Sequence, residues 1–116
     1  MNCDIAIIGA GPSGLCMARA LAESGLNIVL VERQSEASLA DPAFDGREIA
    51  LTHASRALLE QLDIWPRLPV EDVALLRDAK VMNGPSPFAL QIQARHAGSD
   101  HLGHLVANRA IRQAAW

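Results

Sequence analysis

The stretch Ile5–Leu15, Ile-Ala-Ile-Ile-Gly-Ala-Gly-Pro-Ser-Gly-Leu, decides the fold of this chain. Its apolar, β-branched start predicts a buried strand that runs directly into Gly-x-Gly-x-x-Gly. Gly9 permits a sharp turn off the strand, and Gly11 has no Cβ, so a pyrophosphate can approach the backbone. Gly14 permits close packing of the next helix on the strand. The pattern therefore predicts a strand–turn–helix unit of the kind that binds dinucleotides.

The residues after the glycine turn complete one βαβ unit. Pro12 and Ser13 begin the predicted first helix, which Gly25 ends, and the free N–H groups of its first turn face an anion. A second apolar strand, 28–32, ends at Glu32, whose carboxylate can accept hydrogen bonds from an adenosine ribose. The acid suits an unphosphorylated ribose, so FAD or NAD is favoured over NADP. A purely structural glycine turn is the alternative.

Composition restricts the class of protein. The chain has 116 residues and a formal net charge of −3, so it is not expected to bind nucleic acid. No apolar run approaches the length of a membrane span, and the first strand begins too early for a signal peptide, which predicts a cytoplasmic protein. Cys3 and Cys16 are expected to be small buried apolar residues, with a redox pair as the alternative.

The middle of the chain predicts a loop followed by a helix. Residues 34–46 are polar and predict a surface loop, long enough to suggest a function. Thr52 is a plausible N-cap for a helix over 52–62. The buried face of that helix is predicted to consist of Ala54, Leu58 and Leu62.

The last third predicts a second, antiparallel sheet. Alternating residues over 72–82 and from Phe88 onward predict a hairpin, separated from the end of the chain by a polar loop over 95–101. Leu105-Val106 predicts a short strand, and Asn108 is expected to cap a final helix that runs to residue 116. Because only two strands are predicted for the parallel sheet, we expect the chain to be the front part of a longer protein.

The segment Phe44–Thr52, Phe-Asp-Gly-Arg-Glu-Ile-Ala-Leu-Thr, resembles the Gly-Arg segment of the flavin hydroxylases of ubiquinone biosynthesis. These are single-component FAD monooxygenases, a group that includes para-hydroxybenzoate hydroxylase. The resemblance continues at 54–56, 62–65, 86–88 and 102–109, and so covers nearly the whole chain. The later Gly-Ala-Asp-Gly and Gly-Asp-Ala segments of the family do not occur in this sequence.

The resemblance implies an α/β fold with a Rossmann-like FAD-binding βαβ unit, a helix and an antiparallel hairpin from an interleaved substrate domain. The implied boundaries are 1–70 for the FAD-binding part, 71–103 for strands of the substrate-domain type, and 104–116 for a return to the FAD-binding part. It implies hydroxylation of a small or polyprenylated aromatic compound, with NAD(P)H reducing the flavin and O₂ reoxidising it. Peripheral association with the inner membrane or a multi-enzyme assembly is left open, as is the oligomeric state.

Two alternatives to this function stay open. One is a FAD-dependent oxidoreductase of the same fold with another substrate, and the other is a truncated, non-catalytic nucleotide-binding module. No catalytic side chain is predicted, since the flavin supplies the difficult chemistry. His96, His101 and His104 lack the spacing and cysteine partners of a structural zinc site, so no metal site is predicted.

The resemblance also assigns roles to individual residues. The glycine turn would hold the pyrophosphate, the acid would bind the ribose, and three arginines would lie around the cofactor. The predicted cofactor-binding residues are Gly9, Gly11, Pro12, Ser13, Gly14, Glu32, Arg33, Arg47 and Arg109.

Overall fold

The computed structural model describes residues 2–116. Within that range strands and helices alternate as far as the third helix, three strands then follow one another, and short 3₁₀ turns lie at Trp65–Arg67, Val70–Asp72 and Ala94–Ala97. The strands are β1 (Ile5–Ile8), β2 (Ile28–Val31), β3 (Glu48–Leu51), β4 (Val73–Leu76), β5 (Asp78–Met82), β6 (Ala89–Gln93) and β7 (Gly103–Ala107). The helices are α1 (Pro12–Ala20), α2 (Glu36–Ala40), α3 (His53–Gln61) and α4 (Asn108–Ala115).

The predicted βαβ unit is confirmed. Strands β1 and β2 pair in parallel, with Ile5 opposite Ile28 and Ile8 opposite Val31, and α1 makes the crossover. The predicted burial of the first strand is wrong at its carboxyl end, because Ile8 is 78% exposed, and Val31 in the neighbouring strand is exposed as well. Helix α1 packs against one face of the pair, and among residues 2–116 no second helix packs closely on the other.

Helix α1 is shorter than predicted. It ends at Ala20, with Leu21 as its C-cap, instead of running to residue 24. The Ser24 hydroxyl donates to the carbonyl of Leu21 at 2.7 Å, and such local bonds compete with helix continuation. Gly25, with φ of +77°, therefore lies in the turn that enters β2 and does not end the helix directly.

The segment 34–46 is more ordered than a surface loop. It contains α2, whose N-cap Ser35 accepts a hydrogen bond from the backbone N–H of Ser38. Leu39 and Pro42 are buried and hold the segment against the body of the protein. A five-residue helix with one buried leucine is too short to show a helical repeat, so the sequence pattern did not reveal it.

A three-stranded antiparallel sheet, with the order β3-β7-β4, was not predicted. Its central strand β7 pairs Leu105 with Ala50 on one side and with Ala74 on the other. The predicted single strand over 72–82 is interrupted at Arg77, so that β4 joins this sheet while β5 joins another. The strand predicted at Leu105-Val106 is present and longer.

The predicted antiparallel hairpin is confirmed over a shorter range. Strands β5 and β6 pair from Asp78 opposite Gln93 to Met82 opposite Ala89. Gly84, with φ of +52°, lies in the connecting turn. The first residues of the polar loop expected over 95–101 belong instead to the 3₁₀ turn Ala94–Ala97.

Helix α3 begins as predicted, because the Thr52 hydroxyl accepts a hydrogen bond from the N–H of Ser55 at 3.1 Å. Its predicted buried face is partly wrong. Ala54 and Leu58 are exposed, whereas Leu59 is buried. Leucines at 58, 59 and 62 fit two neighbouring helix faces equally well, and contact with β3 and β7 selects the face of Leu59.

Helix α4 lies at the centre of the core. Ala110, Ile111, Ala114 and Ala115 are all buried, and their small size permits close packing against α1. The predicted capping role of Asn108 is wrong, since Ala107 occupies the N-cap position and no side chain caps this helix. The remaining buried core residues are Ala10, Leu15, Leu39, Leu59, Ile64, Leu68 and Val106.

Two further findings concern the sequence expectations. Cys3 is exposed, so its predicted burial is wrong, while Cys16 is half-buried and burial raises the pKa of its thiol. Over residues 2–116, no helix is long and apolar enough to cross a membrane.

Candidate functional site

The three glycines of the turn between β1 and α1 have different surroundings. Gly9 has φ of +100°, a conformation that other residues rarely adopt, and its N–H donates to the carbonyl of Val31 at 2.8 Å. A Cβ at Gly14 would lie 2.0 Å from the carbonyl oxygen of Gly9, so α1 could not approach the strand if that residue were larger. A Cβ at Gly11 would meet nothing within 4 Å. The protein itself therefore does not require a glycine at position 11.

The N-terminus of α1 opens onto the space beside Gly11. Gly11 is the N-cap, no side chain caps the helix, and Pro12 occupies the first turn. Ser13, which follows Pro12, is exposed. The backbone N–H of Leu15 donates to the carbonyl of Gly11, at the start of the helix. An uncapped helix N-terminus beside open space suits a phosphate group, because the helix dipole and backbone N–H groups attract an anion.

Glu32 is held by the backbone around the turn. Its Oε2 accepts from the N–H of Ala10 at 2.8 Å, and its Oε1 accepts from Arg33 at 2.7 Å and Gln34 at 2.9 Å. The bond from Ala10, then those from Gln34 and Arg33, lower the pKa of the carboxyl below its ordinary value. Oε2 has only one of these bonds, so it can also accept from a ribose hydroxyl.

Arg47 lies on the approach to β3 and is paired with an acid. Its Nη2 donates to Oδ2 of Asp45 at 2.7 Å, and its side chain is 67% exposed. Asp45 also accepts from Nδ2 of Asn108 at 2.7 Å. The Arg47 side chain, then its backbone N–H, then Asn108 lower the pKa of Asp45 to about 2.

The predicted site residues fall into two groups. The glycine turn, Glu32 and exposed Arg33 lie together at the carboxyl ends of β1 and β2, joined by the bond from Ala10 to Glu32. Arg47 and half-buried Arg109 lie around the start of α4, where the N–H of Asn108 donates to the carbonyl of Arg47 at 2.9 Å. Their binding roles stay predictions.

Sequence reasoning missed Arg112 and Asp45. Nη2 of Arg112 donates to Oε1 of Gln34 at 2.9 Å, and its charge adds slightly to the lowered pKa of Glu32. Arg112 follows Asn108 by one helical turn, so both side chains lie on the face of α4 that meets the segment 34–47. The spacing of Asn108 and Arg112 was visible in the sequence. That the two side chains contact the segment 34–47 was not.

An apolar cavity of about 400 Å³ opens beside the N-terminus of α1. It lies between α1, β3, α3 and α4, and Pro12 and Ser13 form part of its rim. The other lining residues are Cys16, Met17, Ala20, Ile49, Leu51, Ser55, Leu58, Leu59, Leu62 and Ile111. Its lining has few polar groups, so it offers little that could orient a ligand.

Three histidines gather at the amino end of β7. The ring of His101 lies 4.7 Å from that of His53 and 5.1 Å from that of His104. Burial, then the charge of Arg56, lowers the pKa of His104, which favours its neutral form. In the part of the chain that the structure describes, no group of three or more His, Cys, Asp or Glu residues could hold a metal ion.

Comparison of the sequence with known proteins agrees with this geometry. The family model of FAD dependent oxidoreductases matches residues 4–86. The chain is 45% identical to the ubiquinone hydroxylase UbiM of Neisseria meningitidis, with all of this chain and 26% of that protein covered. It is 34% identical to the ubiquinone hydroxylase UbiL of Rhodospirillum rubrum, with 96% of this chain and 25% of that protein covered. The resemblance seen in the sequence is thereby confirmed.

Solved structures show the same fold. The p-nitrophenol 4-monooxygenase PnpA of Pseudomonas putida matches with a TM-score of 0.63 at 19% identity, over 96% of this chain and 27% of that one. A flavoprotein/dehydrogenase of Cytophaga hutchinsonii matches with a TM-score of 0.63 at 20% identity, over 97% and 26%. The chain thus spans about a quarter of the length of the relatives it matches. With its glycine turn, held acid and matched residues, the chain belongs to the family of FAD dependent oxidoreductases.

Proposed function

We propose that this chain is the part of a FAD-dependent aromatic-ring hydroxylase that binds the ADP half of FAD, in an enzyme of ubiquinone biosynthesis. The observation that supports it most directly is the open space at Gly11, where a Cβ would meet nothing within 4 Å. The protein gains no packing from a glycine there, whereas a pyrophosphate needs the missing side chain. The two ubiquinone hydroxylases similar to this chain supply the substrate class.

Each part of the site has a defined task in this function. The N-terminus of α1 holds the pyrophosphate, and Glu32, kept ionised by three backbone N–H groups, accepts from the ribose hydroxyls. Arg47 contacts phosphate oxygens, and Arg33 and Arg109 lie beside the adenosine and the flavin. Bound FAD supplies the redox chemistry, while these residues bind and orient it.

The names of the relatives support the substrate, while the co-substrates and the location rest on the sequence and on its resemblance to the flavin hydroxylases. The proposed substrate is an aromatic compound, polyprenylated in the ubiquinone pathway, with NAD(P)H and O₂ as co-substrates. The proposed location is the cytoplasm, with peripheral contact to the inner membrane, where a polyprenylated substrate would reside. Such a substrate partitions into lipid because each buried CH₂ contributes about 0.8 kcal/mol.

A segment exchange tests the function. This chain replaces the matching segment of the Neisseria meningitidis ubiquinone hydroxylase, to which it aligns over its full length. We expect the chimaera to purify with FAD, to oxidise NAD(P)H and to hydroxylate the ubiquinone precursor in a strain that lacks that hydroxylase. The unaltered hydroxylase and a chimaera with Gly11→Val are the controls.

The outcome has clear alternatives. A folded chimaera without flavin would contradict the proposed FAD site. A chimaera that holds FAD but cannot hydroxylate the precursor would keep the cofactor assignment and contradict the proposed substrate class.

A further inference from the structure

Hydrogen bonds with neighbouring residues hold Arg47 at its backbone and along one edge of its guanidinium. Asp45 accepts from its backbone N–H at 3.1 Å, from Nε at 2.9 Å and from Nη2 at 2.7 Å. The carbonyl of Arg47 accepts from the backbone N–H of Asn108 at 2.9 Å. The residue is therefore fixed in direction even though its side chain lies largely in solvent.

Asn108 anchors this arrangement in the core. It is the first residue of α4 and is only 3% exposed. Its Nδ2 donates to Oδ2 of Asp45 at 2.7 Å, across 63 residues of sequence. A buried amide left without a partner costs free energy, so Asn108 holds the Asp45 carboxylate firmly. An acid in a connecting segment is thus pinned to a rigid, buried helix.

The donors that Arg47 keeps free point away from Asp45. A guanidinium has five N–H donors in a planar fork, and Asp45 takes one from Nε and one from Nη2. The remaining three are available to an incoming anion. An exposed Arg–Asp pair contributes little to stability by itself. A buried amide that fixes such a pair is better explained by the need to orient the arginine.

We propose that Asp45 and Asn108 are positioning residues that hold Arg47 in the orientation in which it binds the phosphate oxygens of a dinucleotide. The target is the FAD pyrophosphate of the proposed function, on which this role of Arg47 therefore rests. Fixing the side chain beforehand reduces the entropy lost on binding, which is the usual benefit of preorganisation. Phosphate and carboxylate then occupy different edges of one guanidinium.

In the opposite role, Asp45 competes with the ligand. It neutralises the charge of Arg47 until the ligand displaces the Asp45 carboxylate. The two roles predict opposite effects of Asp45→Asn, which keeps the size of the side chain but removes its charge. A positioning acid makes the variant bind ADP and FAD more weakly, whereas a competitor makes it bind them more tightly.

Binding to the chimaera described above, stripped of its flavin, decides between them. ADP and FAD are titrated into the chimaera with the wild-type segment and into its variants Arg47→Ala, Asp45→Asn, Asn108→Ala and Arg47→Ala/Asn108→Ala. We expect each single change to weaken ADP binding about tenfold, equivalent to about 1.4 kcal/mol. We expect the double variant to bind no more weakly than Arg47→Ala alone, because Asn108 acts through Arg47. Losses that add, or unchanged or tighter binding by Asp45→Asn, would overturn the proposal.

Asp63→Asn is the matched control. Asp63 pairs with Arg67 at 2.8 Å, in a pair of the same chemistry outside both groups of candidate site residues. Asparagine tolerates the positive φ of 56° at that position. We expect ADP binding to be unchanged in this variant.

A second readout separates this role from the proposed function. The Nε–H signal of Arg47 exchanges slowly with solvent while Asp45 accepts it, and we expect faster exchange in both Asp45→Asn and Asn108→Ala. Equal exchange in Asn108→Ala and wild type would overturn the positioning role of Asn108 whether or not a nucleotide binds. A wild type with slow Nε–H exchange but no ADP or FAD binding would contradict the proposed function, and with it the phosphate target.

Discussion

Gly11 and Gly14 belong to one motif, yet the structure gives them different physical reasons for being glycine. At Gly14 the reason lies within the protein, since a Cβ would lie 2.0 Å from the carbonyl oxygen of Gly9. At Gly11 the surrounding space is open and the backbone has an ordinary φ of −74°. Gly14 is therefore needed for close packing within the protein, whereas Gly11 is not, which leaves it for the binding role proposed above.

Substitution at these two positions should separate folding from binding. In the chimaera, Gly11→Val should fold but lose its FAD, with only the modest loss expected for a changed N-cap, about 1 kcal/mol. Gly14→Ala should lower the free energy of unfolding by about 1–3 kcal/mol through overpacking, whether or not FAD is present. Flavin absorbance and thermal melting measure the two effects. Wild-type flavin content in Gly11→Val would remove the binding role of the turn.

Glu32 makes stability depend on pH. Its folded-state pKa lies below the ordinary 4.5, so the ionised carboxylate stabilises the fold fully above that value. The stabilisation is lost as the pH falls through the lowered pKa. Glu32→Gln should therefore lower the free energy of unfolding at pH 7, and the difference from wild type should shrink as the pH falls through the ordinary value of 4.5 and then through the lowered pKa.

Urea unfolding of the chimaera at several pH values measures this effect. Glu23→Gln removes an exposed carboxylate elsewhere on the surface and serves as the control. If the difference in the free energy of unfolding between Glu32→Gln and wild type stayed constant with pH, the three backbone hydrogen bonds would not depend on the charge of the Glu32 carboxylate.

The sequence could predict where residues lie when local spacing determines their positions. Gly9, Gly14 and Glu32 are examples, because a strand, a turn and a helix in succession determine where these positions lie. Asp45 could not be found in this way, since the hydrogen bond that singles it out comes from Asn108, 63 residues further along the chain. The cap role predicted for Asn108 was wrong for the same reason, because its side chain donates to Asp45 instead.

At the scale of elements, local signals succeeded and distant pairing failed. Helix α3 and the hairpin β5–β6 were predicted because their caps and turns lie within a few residues of each other. The sheet β3-β7-β4 was missed because it joins strands far apart in the chain, and no local pattern specifies such pairs. The need for glycine at position 103 becomes clear only in this sheet, since a Cβ there would lie 2.1 Å from the carbonyl oxygen of Leu51.

Helix α3 offers a test of a single element. Thr52 satisfies a backbone N–H at the helix start, so Thr52→Ala should lower the free energy of unfolding by about 1 kcal/mol. Thr52→Ser keeps the oxygen and should lose much less. Urea denaturation of the three proteins measures the difference. Equal losses in both variants would mean that the methyl group, and not the hydrogen bond with Ser55, stabilises the helix start.

The whole molecule is more extended than its length suggests. Its radius of gyration is 17.2 Å, with principal extents of 57 × 29 × 26 Å. A compact domain of this size would have a radius of about 13 Å. The core centres on α4, while the hairpin β5–β6 makes few contacts with the other elements. Such a shape leaves much apolar surface in contact with water.

The hairpin and the parallel sheet expose that surface most. Phe88 is 84% exposed, and the apolar residues Val81, Met82, Leu90 and Ile92 along the same hairpin are exposed as well. Both two-stranded sheets also have strand edges without a neighbour among residues 2–116. Exposed apolar patches and open edges promote association between copies of a chain. A complete small domain is itself stable by only about 5–15 kcal/mol.

We therefore expect the 116-residue chain to have low stability and to self-associate, with FAD binding much weaker than micromolar and no NAD(P)H oxidation above that of free flavin. Size-exclusion chromatography over a range of concentrations, thermal melting and a flavin titration measure these properties. Leu90→Lys places a charge on the exposed hairpin without entering the core, so it should raise the monomer fraction and leave the melting temperature unchanged. Lys80→Arg, on the same hairpin, keeps its charge and should change neither property. A monodisperse wild type with a cooperative melt and sub-micromolar FAD affinity would show that these residues suffice for a complete site, and that the open hairpin does not limit the chain.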